Sequence, residues 1–236
     1  SVGAKTHCNE IMKGELFNRQ RSFHSKYTDK GNEVEEKGLS LSSKVLSEVM
    51  FKNEKHYKND YIMGTPDRVD LGIIVDDTKC SWDLHSFPMF TDDLKNNIYT
   101  WQVKGYAWLT GCTHARILYC LVDTPTNLIN DEIRALDWAV SLFDGNGNIF
   151  KDKIQEVVDK VSMMIYTRKG LEEFCHQDIN IKLEWFTDFV EIPEMMRFKQ
   201  YKVELTDSDI EQIKTQVTLA RNYMNMKVKQ LENQIN

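Results

Sequence analysis

The residues with the clearest chemical potential are Asp77, Thr78 and Lys79, which follow the apolar run Ile73 to Val75. Alternate side chains of a strand share a face, so Asp77 and Lys79 project together if the strand is regular. Ten residues before Asp77, the turn Gly64-Thr65-Pro66-Asp67 supplies a second carboxylate. A turn carboxylate, a strand carboxylate and a neighbouring lysine are what metal-dependent phosphodiester hydrolysis requires. Hard oxygen ligands hold Mg²⁺ at about 2.0 to 2.1 Å, the metal takes up charge developing on phosphate, and the ammonium positions or activates the attacking water. Asp76 competes for the ligand role: a bulge would turn it toward the metal, out of phase with Lys79. Taken singly, Asp67 is an ordinary turn residue, and Asp77 with Lys79 an ordinary strand ion pair.

Other groupings do not survive inspection. Asp144-Gly-Asn146-Gly-Asn148 imitates a calcium loop, but Ile149 stands where that loop needs Gly and Gln155 where it needs Glu, so it is expected to be a turn. The six histidines lack zinc-ligand spacing. The five cysteines are scattered without a Cys-x-x-Cys pair, which excludes a zinc ribbon or disulfide scaffold and suits a reducing cytoplasm. No Gly-rich phosphate loop is present, which removes an ATPase reading. Trp82, Trp101 and Trp108 are read as packing residues before base-stacking ones.

Pro66-Asp67 followed by Asp77-x-Lys79 resembles the signature of the PD-(D/E)XK nuclease superfamily. Gly31-Asn32-Glu33-Val34-Glu35 is similar to the Gly-x-x-x-Glu element of lambda exonuclease and the YqaJ-like phage recombination exonucleases, and Gln102-Val103-Lys104-Gly105-Tyr106 to their Gln-x-x-x-Tyr motif. Only the Gly31 spacing selects Glu35 from its neighbours Glu33 and Glu36. The superfamily more often has Glu where Asp77 stands. The resemblance covers roughly residues 26 to 125. It implies a restriction-endonuclease-like α/β fold, a mixed central sheet flanked by helices, here with a helical C-terminal extension from about 126 to 236 in one domain of 236 residues. It also implies that Glu35, Asp67, Asp77 and the Thr78 carbonyl bind Mg²⁺, with Mn²⁺ as a substitute, that Lys79 assists the water, and that Gln102 orients the site or the nucleotide. The activity implied is exonucleolytic hydrolysis of linear duplex DNA from the 5′ end in phage or prophage recombination. A single-strand-annealing partner and a trimeric homo-oligomer enter by analogy only. The alternatives are a single-strand or structure-specific endonuclease of the same superfamily, or a nonenzymatic nucleic-acid module.

Elements that would position these residues can be read from periodicity. Cys8, Ile11, Met12 and Leu16 mark a helix over about 5–19, and Thr28 is expected to cap a second carrying Val34, Leu41, Val45 and Val49. Short strands follow at Tyr61–Met63 and Ile73–Val75. Thr91 and Asp92 are expected to open a helix bearing Leu94, Ile98, Gln102 and Leu109, closed near Gly111. Ile117–Val122 reads as a strand buried on both faces. Helical stripes then run through Ile133, Leu136, Val140 and Phe143, and through Ile154, Val157, Val158, Val161 and Ile165. An imperfect strand spans Arg197–Leu205. Ser208 and Glu211 have capping-box spacing ahead of a last helix, whose stripe Ile210, Ile213, Val217, Ala220, Met224, Val228 and Leu231 is expected to be core packing.

Composition sets the outer bounds. Apolar residues at 41%, charged residues at 28% and only 11 Gly and 4 Pro fit neither disorder nor a fibrous repeat. The longest apolar run, Ile117–Val122, is far short of the roughly 20 residues of a membrane span, and no signal peptide is visible ahead of it. The chain opens with Ser1, as a processed or truncated chain would. The net charge of −6 is uneven: residues 1–60 carry 11 Lys and Arg against 9 Asp and Glu, and the remainder 19 against 27. The basic end is the N-terminal one. Arg19, Arg21 and Lys26 there are candidates for contacts to the DNA backbone or its terminal phosphate, and Tyr106 is either a substrate contact or a core aromatic. The plainer reading of the basic segment is a solvated helix face.

Overall fold

A computed structural model describes residues 1–19, 22, 25–94, 98–178 and 180–235. Helix α1 (Val2–Phe17) is capped by Ser1 and ends at Asn18 in the left-handed region. Helix α2 (Lys26–Leu46) starts from Ser25, whose hydroxyl accepts from the Thr28 amide while the Thr28 hydroxyl accepts from the Ser25 amide. Two amides that a helix start leaves free are thereby satisfied. The cap is therefore Ser25 and not Thr28, because Ser25 has the extended backbone a cap needs and Thr28 already lies in the first turn.

A small hairpin, β1 (Tyr57–Lys58) with β2 (Met63–Gly64), precedes β3 (Arg68–Asp70) and β4 (Ile74–Cys80). After α3 (Ile98–Thr110) come β5 (His114–Cys120), α4 (Thr126–Val140), α5 (Ile154–Ser162), α6 (Arg168–Gln177), β6 (Phe198–Glu204) and α7 (Asp207–Ile235). The larger sheet runs β3-β4-β5-β6, with β4 and β5 parallel and both outer pairings antiparallel. The mixed sheet and the helical C-terminal part both follow the expectation. Strand β6, which comes from the C-terminal part, pairs with β5 along its whole length.

Helix α3 begins later than expected. Thr91 and Asp92 are in loop and face β6: the Thr91 carbonyl accepts from the Tyr201 hydroxyl at 2.7 Å and the Asp92 carboxylate from Lys199 at 3.1 Å. The last helix is capped by Thr206 with Asp209, not by Ser208 with Glu211. The Thr206 hydroxyl accepts from the Asp209 amide at 3.2 Å, and the Asp209 carboxylate accepts from the Thr206 amide at 2.9 Å. The stripe along α7 is not core either. Its residues are half-buried or exposed, because α7 lies outside the sheet against α1 and α3. Phe143 falls beyond α4, paired with Ile149 around the Asp144 turn. The five described histidines are all exposed and the five cysteines are free thiols, Cys8, Cys112 and Cys120 buried and Cys80 and Cys175 half-buried.

The two faces of the sheet are covered by different helices. Val75, Ala115 and Ile117 pack with Val103 and Ala107 of α3 on one face, and Cys80, Cys120 and Val122 with Val34 and Leu41 of α2 on the other. Gly38 permits the second contact: a Cβ there would stand 2.7 Å from Cys80 Sγ and 3.0 Å from Thr78 Cγ2. A third cluster, from Trp82 through α4, α5 and α6, ties the C-terminal helices to the loop after β4.

The α2 face also buries an ion-pair network. Arg68, Asp76 and Arg116 are directly opposed across β3, β4 and β5. Asp76 is fully buried and accepts from Arg68 at 2.7 Å and from Arg116 at 2.7 and 2.8 Å. Glu48 closes the network from the chain after α2, accepting from both arginines at 2.9 Å. The Arg116 hydrogen bonds, against a smaller opposing effect of burial, hold the Glu48 carboxyl down at about 2. Because its folded pKa is depressed below the ordinary 4.5, Glu48 contributes stability at pH values above that figure and loses it as pH falls toward 2. Urea melts across this window should show wild-type stability falling more steeply than that of Glu48→Gln, which lacks the titrating group.

Candidate active site

The site exists because β3 stops short. Its pairing with β4 ends at Arg68 opposite Asp76, so the next amide of β4 on that edge, that of Thr78, has no strand to bond. Asp67, the residue just before β3, fills the gap: its Oδ2 accepts from the Thr78 amide at 2.6 Å. The Pro66 carbonyl is held by Asn53 Nδ2 at 2.8 Å and the Asp67 carbonyl by the Asn53 amide at 2.8 Å, which fixes the turn.

Strand alternation then separates the two aspartates. Asp76 goes to the arginines on the α2 face, so Asp77 and Lys79 point to the other, and β4 has no bulge in its pairing with β5. The open question between Asp76 and Asp77 is thereby answered in geometry: only Asp77 lines the cavity. Asp77 is 2% exposed, and its Oδ2 lies 2.7 Å from Lys79 Nζ in an ion pair. Lys79 Nζ also sits 4.7 Å from the centre of the Tyr99 ring, a cation–π contact.

Glu35 reaches the same cavity from α2, and Gln102 and Tyr106 from α3. Gln102 Nε2 donates to the Tyr106 hydroxyl at 2.9 Å, as two residues one helical turn apart can. Tyr106 rests on Gly64, where a Cβ would meet its ring at 2.5 Å, so α3 is seated on the residues that lead into the Asp67 turn. Glu35, Asp67, Asp77, Thr78, Lys79, Gln102 and Tyr106 thus line one cavity of about 700 Å³.

Its electrostatics are those of crowded carboxylates. Burial first, then the charges of Asp77 and Glu35, push Asp67 up to about 7 against the pull of the Thr78 amide. Burial and Glu35 likewise raise Asp77, although Lys79 opposes them. Burial alone would lower Lys79, but Asp77 and Asp67 more than offset it, and its pKa stands above the usual range. Three acids that repel one another, answered within the cavity by the single ammonium of Lys79, are the kind of hard oxygen donors that a divalent cation takes. The donor types are those that Mg²⁺ takes, but their spacing is not that of a formed site: among the described residues no three His, Cys, Asp or Glu side chains stand close enough to hold a metal ion, and Glu35 is drawn 3.3 Å from Lys52.

The basic candidates are placed differently. Lys26 lies 2.8 Å from Glu132 and 4.9 Å from the centre of the Trp82 ring, which lines the cavity, so it stands at the rim in an ion pair. Arg19 is exposed just beyond α1 and is not among the lining residues. Arg21 lies outside the described residues. Sequence reasoning missed Tyr99 and Lys52. Tyr99, Gln102 and Tyr106 follow helical spacing, a signal that was available; Lys52 sits in irregular chain with no pattern to mark it.

Two solved proteins share this architecture. A phage-related exonuclease from Haemophilus somnus 129PT superposes with a TM-score of 0.68 at 26% identity, over 98% of this chain and 85% of its own. The alkaline exonuclease LHK-Exo from Laribacter hongkongensis superposes at 0.57 with 13% identity, over 98% and 84%, and its complex with dAMP at 0.58. No protein-family model and no curated protein matches the sequence. The chain thus shares its fold with a phage-related exonuclease and an alkaline exonuclease, as the motifs implied.

The two aspartates should separate in stability measurements. Asp76→Asn leaves two buried arginines undercompensated and should cost about 3–5 kcal/mol in urea unfolding. Asp67 has a raised folded pKa, so its ionised form weakens the fold above the ordinary 3.8, and increasingly toward about 7. Asp67→Asn, whose amide oxygen still accepts from Thr78, should therefore melt no lower than wild type at pH 8 without added metal.

Proposed function

We propose that this chain, built on the fold of the phage-type exonucleases, is a divalent-metal-dependent DNA exonuclease of phage or prophage recombination. The observation that carries the reading is the convergence of Glu35, Asp67, Asp77, Lys79 and Gln102 from α2, the turn before β3, β4 and α3 on one cavity. A structural ion pair would explain Asp77 with Lys79, but not two further carboxylates brought beside them at the cost of their own repulsion.

In this reading Glu35, Asp67, Asp77 and the Thr78 carbonyl hold Mg²⁺, or Mn²⁺ in its place. The metal supplies a Lewis acid for the phosphate oxygen and a more acidic water. Lys79 stands beside Asp77 with its ammonium over the Tyr99 ring, and its role in this reading is to assist the attacking water and to take up negative charge at the phosphate. Water adds to phosphorus, the bond to the 3′ oxygen of the departing nucleotide breaks, and the remaining strand keeps a 5′-phosphate. Gln102, fixed through Tyr106, positions the nucleotide. Degradation from the 5′ end, the trimer and the single-strand-annealing partner belong to this proposal on the resemblance alone. Arg19, Arg21 and Lys26 are its candidates for backbone contacts, and the five free cysteines support a reducing compartment such as the bacterial cytoplasm. Among the described residues no helix is long and apolar enough to cross a membrane.

Linear and covalently closed circular duplexes, end-labelled where ends exist, test the reading. The linear duplex should be degraded with Mg²⁺ and spared with EDTA, and the circle should persist; cleavage of the circle would favour the endonuclease alternative. Asp67→Asn and Asp77→Asn should abolish turnover while remaining folded, and Lys79→Ala should lower kcat by about 10²–10³-fold with DNA binding retained. Undiminished turnover in either aspartate variant would remove these residues from the site.

Binding should also report the basic rim. Exchanging Arg19 and Lys26 together for Ala should weaken binding alike for all sequences and flatten its salt dependence by roughly 0.9 log unit for each phosphate no longer neutralised. An unchanged slope would return these residues to a solvated surface.

A further inference from the structure

Helix α2 contains two glycines, Gly31 and Gly38, and glycine in a helix interior is disfavoured more than any residue but proline. Gly38 has a packing reason, since a Cβ would collide with Cys80 Sγ at 2.7 Å. Gly31 has none: a Cβ built there meets nothing within 4 Å. Nor does its backbone require glycine, because the positive-φ glycines are Gly72, Gly111 and Gly147. Gly3 of α1 shares the open space, but it lies in a first turn away from any described cavity wall. Gly31 instead lines the carboxylate cavity, between Thr28 and Glu35 on the same helix face.

We propose that Gly31 is a specificity-determining position: the side chain it lacks leaves the room through which the sugar–phosphate backbone of the substrate strand crosses α2 on its way to the carboxylates. This rests on the nuclease reading above and names the path its substrate takes. Gly31 is one turn from Glu35, about 6 Å along the helix axis at 1.5 Å per residue. That is a length one or two nucleotides can span, the rise along a B-form duplex axis being roughly 3.4 Å each. A strand that crosses this wall of the cavity to reach a metal held by Glu35 can therefore pass over Gly31. The helix stability forgone there yields no internal contact, so its use lies in what enters from outside.

The test is a volume series, Gly31→Ala and Gly31→Leu, in the full chain. Both residues are strong helix formers, so Gly31→Ala should raise Tm, by about 2–4 °C for a chain of this size. KM for a linear duplex with Mg²⁺ should nevertheless rise, by about tenfold or more for Ala and further for Leu, as filling occupied space does. Kd for the same duplex in EDTA should rise in the same order. A more stable protein that binds its substrate less well is an outcome that a purely structural glycine does not produce. Unchanged KM and Kd in both variants, or a lower Tm for Gly31→Ala, would overturn the inference while leaving the nuclease reading intact. A wild-type protein that cleaves no DNA would overturn that reading and the inference with it.

Discussion

The structure depends on sending two adjacent acidic side chains of one strand to opposite faces. Asp76 and Asp77 are both buried, and each would be costly there unless its charge were answered. Asp76 is answered by Arg68 and Arg116 opposite it, and Glu48, which those arginines share, balances their second positive charge. That saturated face fixes the register of three strands, because a one-residue slip would turn both arginines away from Asp76. The register in turn directs Asp77 and Lys79 to the cavity. Asp77 is answered only in part, by a single lysine against two other acids. A fully compensated charge on one face thus holds an undercompensated one on the other, and the undercompensated one is available for chemistry.

The same division explains what could be read in the sequence. The Asp77–Lys79 phase, the Pro66–Asp67 turn and the Gln102–Tyr106 pair follow from local rules of alternation and helical spacing, and the structure brings them together. The choice between Asp76 and Asp77 could not be read, because it depends on arginines at Arg68 and Arg116, forty residues apart from Asp76 in the second case, whose cross-strand pairing no local pattern announces. Capping went wrong for a related reason. Thr28 and Ser208 are good cap residues by type, but Ser25 and Thr206 hold the positions just outside the helices, and each accepts from an amide three residues on. The stripe of α7 has helical periodicity without burial. Periodicity reveals which side of a helix faces protein, not how much protein is there to cover it.

Closure of the cavity depends on contacts made far from it. Lys30 of α2 is fully buried, and its Nζ donates to the Trp82 carbonyl at 2.8 Å while lying 5.6 Å from the centre of the Tyr166 ring. Burial lowers its pKa to about 8, although Cys80, Asp123 and Asp83 pull the other way. The side chain of Trp82 belongs at once to the cavity wall and to the cluster built by α4, α5 and α6. The C-terminal helices therefore brace the loop after β4, and through Lys30 they brace the helix that carries Glu35.

Two attachments follow for α2, and they differ in kind. At Gly38 the helix is pressed against Thr78 and Cys80 by the absence of a side chain, which sets its distance from β4. At Lys30 it is tied to the loop after β4 by a charge-assisted hydrogen bond to the Trp82 carbonyl. Glu35 lies between the two, one turn from each in round terms, so its carboxylate is placed by both and touches neither. In the metal-site reading proposed above, this carboxylate would have to exchange Lys52 for a cation. Lys52 is exposed and joined to Glu35 at 3.3 Å, a pair of the kind that water and salt readily weaken. The helix that positions Glu35 is packed against β4 at Gly38, while the partner of its carboxylate is an exposed lysine, so Glu35 can change partner without repacking the sheet.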